Sequence, residues 1–146
     1  MASPYSGMEK REIKALSAQQ IDDLRAGRGM GLALAAELNG YPGPMHTLEL
    51  AGQLELTPEQ QARTRETFAR MKAESRRLGE EVIAAERALD ALFRDRTVTP
   101  ERLAAATDDA ARAQGRLRAA HLRHHLEMME VLTPGQVDAY KRLRGY

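Results

Sequence analysis

No cysteine occurs among the 146 residues. Disulfides, thiolate metal sites and thiol catalysis are therefore excluded. Tryptophan is absent too, and aromatic residues make up 4% of the chain, so there is little on which bases or sugars could stack. No charge of one sign dominates. The formal net charge of +1 leaves no broad field to hold nucleic acid. No run of about 18 apolar residues appears, so no segment is suited to cross a membrane as a helix. Strand-type runs of β-branched residues are also missing. The start, Met1 to Glu12, lacks the apolar stretch of a secretory signal. The residues alone leave a cytoplasmic protein and the mature form of an exported one both open.

What is present points one way. Alanine, leucine, arginine and glutamate dominate, a composition that favours an all-α protein. Residues 1–8 read as a lead, and Glu9 to Leu16 as a short helix. Ser17 and Gln20 form a capping-box pattern, opening a second short helix that ends near Gly27. Gly27, Gly29 and Gly31 lack the preceding strand and the spacing of a phosphate loop and read as a turn. Met30 to Leu38 gives a further helical turn or two, stopped at Asn39-Gly40. After the rigid break Tyr41-Pro42-Gly43-Pro44, Met45 to Leu54 reads as another helix.

The pattern then lengthens. Thr57 caps, Pro58 takes the first helical position and Gln60 completes a capping box. Apolar and small positions recur at threes and fours through Met71, Ser75, Leu78, Val82, Ala85, Leu89 and Leu92, with Phe68 and Phe93 extending the seam. This helix runs to about Arg94. A short loop follows, and Thr99-Pro100 restarts the chain. The next seam is Leu103, Ala106, Ala110, Ala113, Leu117, His121, His124, Met128 and Val131. So short a loop between such helices predicts an antiparallel hairpin. Gly79 and Gly115 fall inside the two long helices. Each costs about 1 kcal/mol against alanine or allows a close helix approach. Thr133-Pro134 breaks the second long helix, and Val137 to Leu143 forms a last short one.

Three of the four histidines and two methionines lie between His121 and Met129. His121/His125, His124/Met128 and His125/Met129 are i,i+4 pairs, a spacing that can reach one ion. Imidazole suits zinc, nickel, cobalt or copper, and thioether favours copper(I). With Phe93 level with Leu103, His125 lies opposite Met71 and Met128 opposite Phe68. The 45–54 helix folds back so that His46 arrives near Thr67, level with Met129, and Glu49 adds an oxygen donor. The candidate metal set is His46, Glu49, His121, His124, His125, Met128 and Met129. No organic cofactor is called for. The plain alternative is that these residues only pack. Around the second long helix, Leu122, Leu126 and Met129 with Ala104, Ala111 and Ala119 form a second apolar sector. It needs a further partner, either the N-terminal helices or a second subunit. Enzyme motifs fail: Leu122 stands where a zinc protease needs glutamate, and the Glu-x-x-His of di-iron bundles is absent.

Two near-identical motifs, Leu56-Thr57-Pro58-Glu59-Gln60 and Leu132-Thr133-Pro134-Gly135-Gln136, bracket the hairpin. They resemble those of the LTxxQ family of Spy/CpxP-type periplasmic chaperones and CnrX/ZraP-type periplasmic heavy-metal sensors. The likeness covers residues 43–146, a helical hairpin domain, and leaves 1–42 as an N-terminal extension with short helices. It implies an intertwined homodimer, periplasmic and without catalysis, whose signal peptide has been removed. In the sensor branch the metal would fall to His46 with His124/Met128 or His125/Met129. A membrane-anchored regulator would then be a further partner. In the chaperone branch an apolar and basic surface would hold unfolded protein clients without ATP. Neither branch implies nucleic acid or membrane insertion.

Overall fold

The computed structural model describes residues 1–146. It is all-helical: α1 (Ala18–Ala26), α2 (Leu34–Glu37), α3 (Pro44–Glu49), α4 (Pro58–Arg94), α5 (Pro100–Val131) and α6 (Pro134–Arg144). None is long and apolar enough to cross a membrane. The long helices begin where their caps stand. The Thr57 hydroxyl accepts from the Gln60 backbone N–H, and the Gln60 side chain accepts from the Thr57 N–H. Thr99 caps α5 through the Arg102 N–H. Each cap satisfies backbone donors that the first helical turn leaves free.

α4 and α5 form the expected antiparallel hairpin. Three cross-helix ion pairs mark the register: Arg70 with Glu127, Glu74 with Arg123 and Glu81 with Arg116. Their partners fall within one residue of the level predicted by setting Phe93 against Leu103. These exposed pairs fix little free energy. The seam between them does more, with Ser75, Leu78 and Val82 of α4 buried against Ala110, Ala113 and Leu117 of α5. Fully burying a side chain such as Val82 is worth about 1.5–3 kcal/mol. The seam fades at the loop end, where Phe93 is 57% exposed and Leu103 37%. A straight α-helix drifts by about 20° per heptad from a strict seam, which turns the terminal positions outward.

The N-terminal segment differs from its expected form. Glu9 to Leu16 is not a helix beyond the short 3-10 turn Met8–Lys10. Ile13 and Leu16 instead insert into the main core beside Ile21 and Leu24 of α1, against Ile83 and Ala120. Burial of those two side chains outweighs local helix formation in a segment too short to hold a helix alone. Gly79 is the contact point, because a methyl there would run into the Leu24 carbonyl of α1. Gly115 faces open space and has no such reason. α3 stops at Glu49, five residues early. Gly52 follows, and Glu55 takes positive φ, so the chain folds into turns instead of extending the helix.

The two Leu-Thr-Pro-x-Gln motifs meet at the base of the hairpin. Gln136 repeats the capping box on Thr133. The two glutamine side chains then pair, each Nε2 donating to the other's Oε1 at 2.7 and 3.0 Å. Gln60 Nε2 also donates to the Val131 carbonyl and Gln136 Nε2 to the Leu54 carbonyl. Both amides are thereby fully used. Leu54, Leu56, Met128, Val131, Leu132 and Tyr140 pack beneath them as a second apolar cluster.

Candidate metal centre

The helical period decides where the three clustered histidines of α5 point. His121 and His125 are one turn apart and share a face, and His124 lies to the side of both. All three are buried. His121 and His125 line a cavity of about 570 Å³. α3 contributes Met45 and His46 to the same cavity, and α4 contributes Phe68, Met71 and Lys72. His46 thus shares this cavity wall with His121 and His125, and not with His124, Met128 or Met129. His124 faces the opposite side of the hairpin, beside Arg70, Glu74 and Arg123. Its Nδ1 is spent on the Ala120 carbonyl, and its Nε2 lies 3.7 Å from Glu74 Oε2.

The methionines divide as well. Met128 is wholly buried in the apolar cluster under the glutamine pair, where its sulfur serves packing. Met129 is 38% exposed on the outer side of α5. The sulfur atoms at the cavity belong to Met45 and Met71. The spacing of Met71 from the histidines becomes visible only with the hairpin register in hand.

The ring nitrogens are set by their hydrogen bonds. His125 Nδ1 lies 2.7 Å from the Tyr41 carbonyl. A carbonyl only accepts, so Nδ1 carries a proton and donates to it. Gly43 packs against this ring so closely that a Cβ would fall 2.9 Å from Nε2. His46 Nδ1 lies 2.8 Å from Glu49 Oε2, which leaves its Nε2 uncommitted. Glu49 is therefore engaged on the far nitrogen of His46, the place of a supporting carboxylate. His121 Nε2 is buried without any partner. Burial, reinforced by His124, His125 and Lys72, holds the His121 imidazolium pKa below its ordinary 6.5, so this ring is neutral at pH 7. A neutral imidazole with a free nitrogen is the donor chemistry a zinc-like ion requires. No three His, Asp or Glu side chains yet stand within reach of one ion. The half-buried Lys72 lines the same cavity, together with Arg28 and Arg144.

One participant carried no sequence signal. Glu37 of α2 is 8% exposed and lies at the cavity wall. Its Oε1 accepts from the hydroxyls of Tyr140 at 2.6 Å and Tyr146 at 3.0 Å. Burial and this carboxylate push the Tyr140 phenol pKa far above its ordinary value, so it remains a donor. The partners lie more than a hundred residues apart in the chain. No local pattern announces such a contact.

On the outside of α5, Leu126 is 61% exposed, Leu122 is half-buried, and Ala104, Ala111 and Ala119 are exposed. The N-terminal helices do not cover this second apolar sector.

A hairpin of two long helices with short flanking helices makes this a small all-helical protein. A family profile described as heavy-metal resistance matches residues 29–139. The chain belongs to this heavy-metal resistance family, the helical family of the Spy, CpxP, CnrX and ZraP type. No curated protein and no solved structure gives a significant match.

Proposed function

We propose that the protein is a non-enzymatic periplasmic stress protein that binds or senses a heavy-metal ion in the cavity between α3, α4 and α5. The observation that carries this reading is the convergence of His46, His121 and His125 on one cavity, each with an uncommitted ring nitrogen. Met45 or Met71 would add a soft donor. Zinc, nickel, cobalt and copper all fit this donor set. His124, Met128 and Met129 then lie outside the ion's reach, and Glu49 acts by orienting His46. Membership of a family typically found in the periplasm supports the location. The ion would stabilise the protein by binding only its folded form. At a hundredfold excess over Kd that amounts to about 2.7 kcal/mol, or a rise in Tm of roughly 5–10 °C for a domain of this size. A thermal-shift screen with these four ions tests it. His121→Ala with His125→Ala should abolish the rise, and His124→Ala should keep it. No rise with any of the ions would sink the proposal.

A second reading rests on the uncovered sector of α5. Leu122, Leu126 and Met129 form an apolar strip that unfolded clients could occupy in an ATP-independent holdase, or a second copy in a homodimer. Leu126→Lys should then abolish suppression of client aggregation, measured by light scattering without ATP. Unchanged aggregation with the wild-type protein would remove the chaperone reading.

A further inference from the structure

The charges on the cavity wall are uneven. Three cationic side chains line it, Arg28, Lys72 and Arg144, against a single carboxylate, Glu37. Two of the cations already have partners. Arg28 Nη1 lies 2.7 Å from Asp23 Oδ1, and Arg144 Nε lies 3.5 Å from Glu37 Oε1. That same oxygen accepts from the hydroxyls of Tyr140 and Tyr146. Lys72 belongs to none of the chain's ion pairs. It is half-buried, so its ammonium gives up part of its hydration and gains no counter-charge in return. On the same wall His121 is 3% exposed, and its Nε2 is buried without a hydrogen-bond partner. A buried polar atom of this kind calls for a reason. Much of the remaining wall is apolar, with Leu34 of α2, Met45 of α3, and Phe68 and Met71 of α4.

We propose that this cavity binds an alkyl monocarboxylate, with the carboxylate on Lys72 and His121 and the chain along Phe68, Met71 and Met45. One negative charge matches the one cation of the wall that has no partner. A dianion such as phosphate would bring in a second charge with nothing to meet it, and an apolar cation would be repelled by Lys72. The neutral His121 ring can carry its proton on Nε2 and donate it to a carboxylate oxygen, while Lys72 supplies a charge-assisted bond to the other. The apolar walls take the alkyl chain out of water, a gain of about fourfold in affinity for each methylene fully buried. The cavity volume lies within the range of about 300–1,000 Å³ typical of small-molecule sites. Lys72 plays no part in the metal reading, so the two ligands are tested separately.

Calorimetric titration of decanoate, below its micellar concentration, into the full chain tests this. A single saturable site per chain is expected, with decanol and decyltrimethylammonium binding at least about tenfold more weakly. Lys72→Met keeps the apolar stem and removes the charge. Its decanoate affinity should fall about 10–100-fold, the scale of a hydrogen bond to a charged group, and its decanol affinity should stay. Arg70→Met removes a cation of α4 that lies on the other side of the hairpin and should bind decanoate like the wild type. If Lys72→Met does not fold, Met45→Glu decides. Met45 is 42% exposed on the α3 wall, and a negative charge there should also weaken decanoate binding. Equal affinities for decanoate and decanol, or wild-type decanoate affinity in the deciding variant, overturn the proposal. An equal loss in Arg70→Met overturns it too, because the attraction would then be to surface charge in general. Zinc binding without decanoate binding overturns this inference alone. Decanoate binding without zinc binding upholds it and removes the metal reading.

Discussion

Removing one glutamine of the paired motifs should cost far more than removing an ordinary exposed amide. Gln60→Ala deletes the group that accepts from the Thr57 N–H and donates to the Val131 carbonyl. It also strips the Gln136 side chain of its reciprocal bonds. Two sets of part-buried polar groups lose partners, the Val131 carbonyl and the Gln136 amide, and the exposed Thr57 N–H loses its half of the capping box. At about 1 kcal/mol for each part-buried set and up to about 1 kcal/mol for the box, the loss is about 2–3 kcal/mol. Loss of a helix cap alone would give only about 1 kcal/mol. Gln136→Ala should cost a similar amount. The double variant should fall short of the sum by about 1–2 kcal/mol, because the shared pair of bonds is lost only once. Urea denaturation of the four proteins measures the cycle, with unchanged m-values as the check that the folded and unfolded states are comparable. Single losses below about 1 kcal/mol, or strict additivity, would refute the argument that the two motifs act as one lock.

Other consequences are equally direct. Gly79→Ala should destabilise the protein because the new methyl meets the Leu24 carbonyl, whereas Gly115→Ala should stabilise it by about 1 kcal/mol; thermal melts decide both signs. His121 has a folded-state pKa below 6.5, so the unfolded chain takes up its proton first. The metal-free protein should lose stability as pH falls below about 6.5, and His121→Gln should flatten that slope in urea titrations at several pH values. Met128→Ala should cost about 2–5 kcal/mol through the void it leaves, while Met128→Leu should bind metal like the wild type if its sulfur only packs.

Local chemistry explains what was legible beforehand. The caps at Ser17 and Thr57, each read from a hydroxyl and its spacing, start helices where expected, and the chain restarts at Thr99-Pro100 as read. The last helix begins at Pro134, three residues before the expected Val137, because Thr133 and Gln136 form a complete capping box. The seam from Ser75 to Val82 followed from periodicity, and the short loop at 95–98 then fixed the register that sets His125 at the level of Met71. What was not legible depends on long-range packing. Ile13 and Leu16 carry the composition of a helix and act as plugs in the core. Glu37 looks like any surface glutamate until α6 returns Tyr140 to it. The seam grouped His121 with His124, whereas the fold sets His121 and His125 on one cavity and His124 on the other side of the hairpin.

On the proposed reading, the histidines of one face, and not the cluster as a whole, hold the ion. Calorimetric titration of zinc into the wild type, His125→Ala and His124→Ala at pH 7.5 tests it most directly. The geometry predicts saturable binding by the wild type, unchanged binding by His124→Ala, and a loss of at least about tenfold, the scale of a lost donor or its support, in His125→Ala. Equal losses in both variants, or none in His125→Ala, would contradict it.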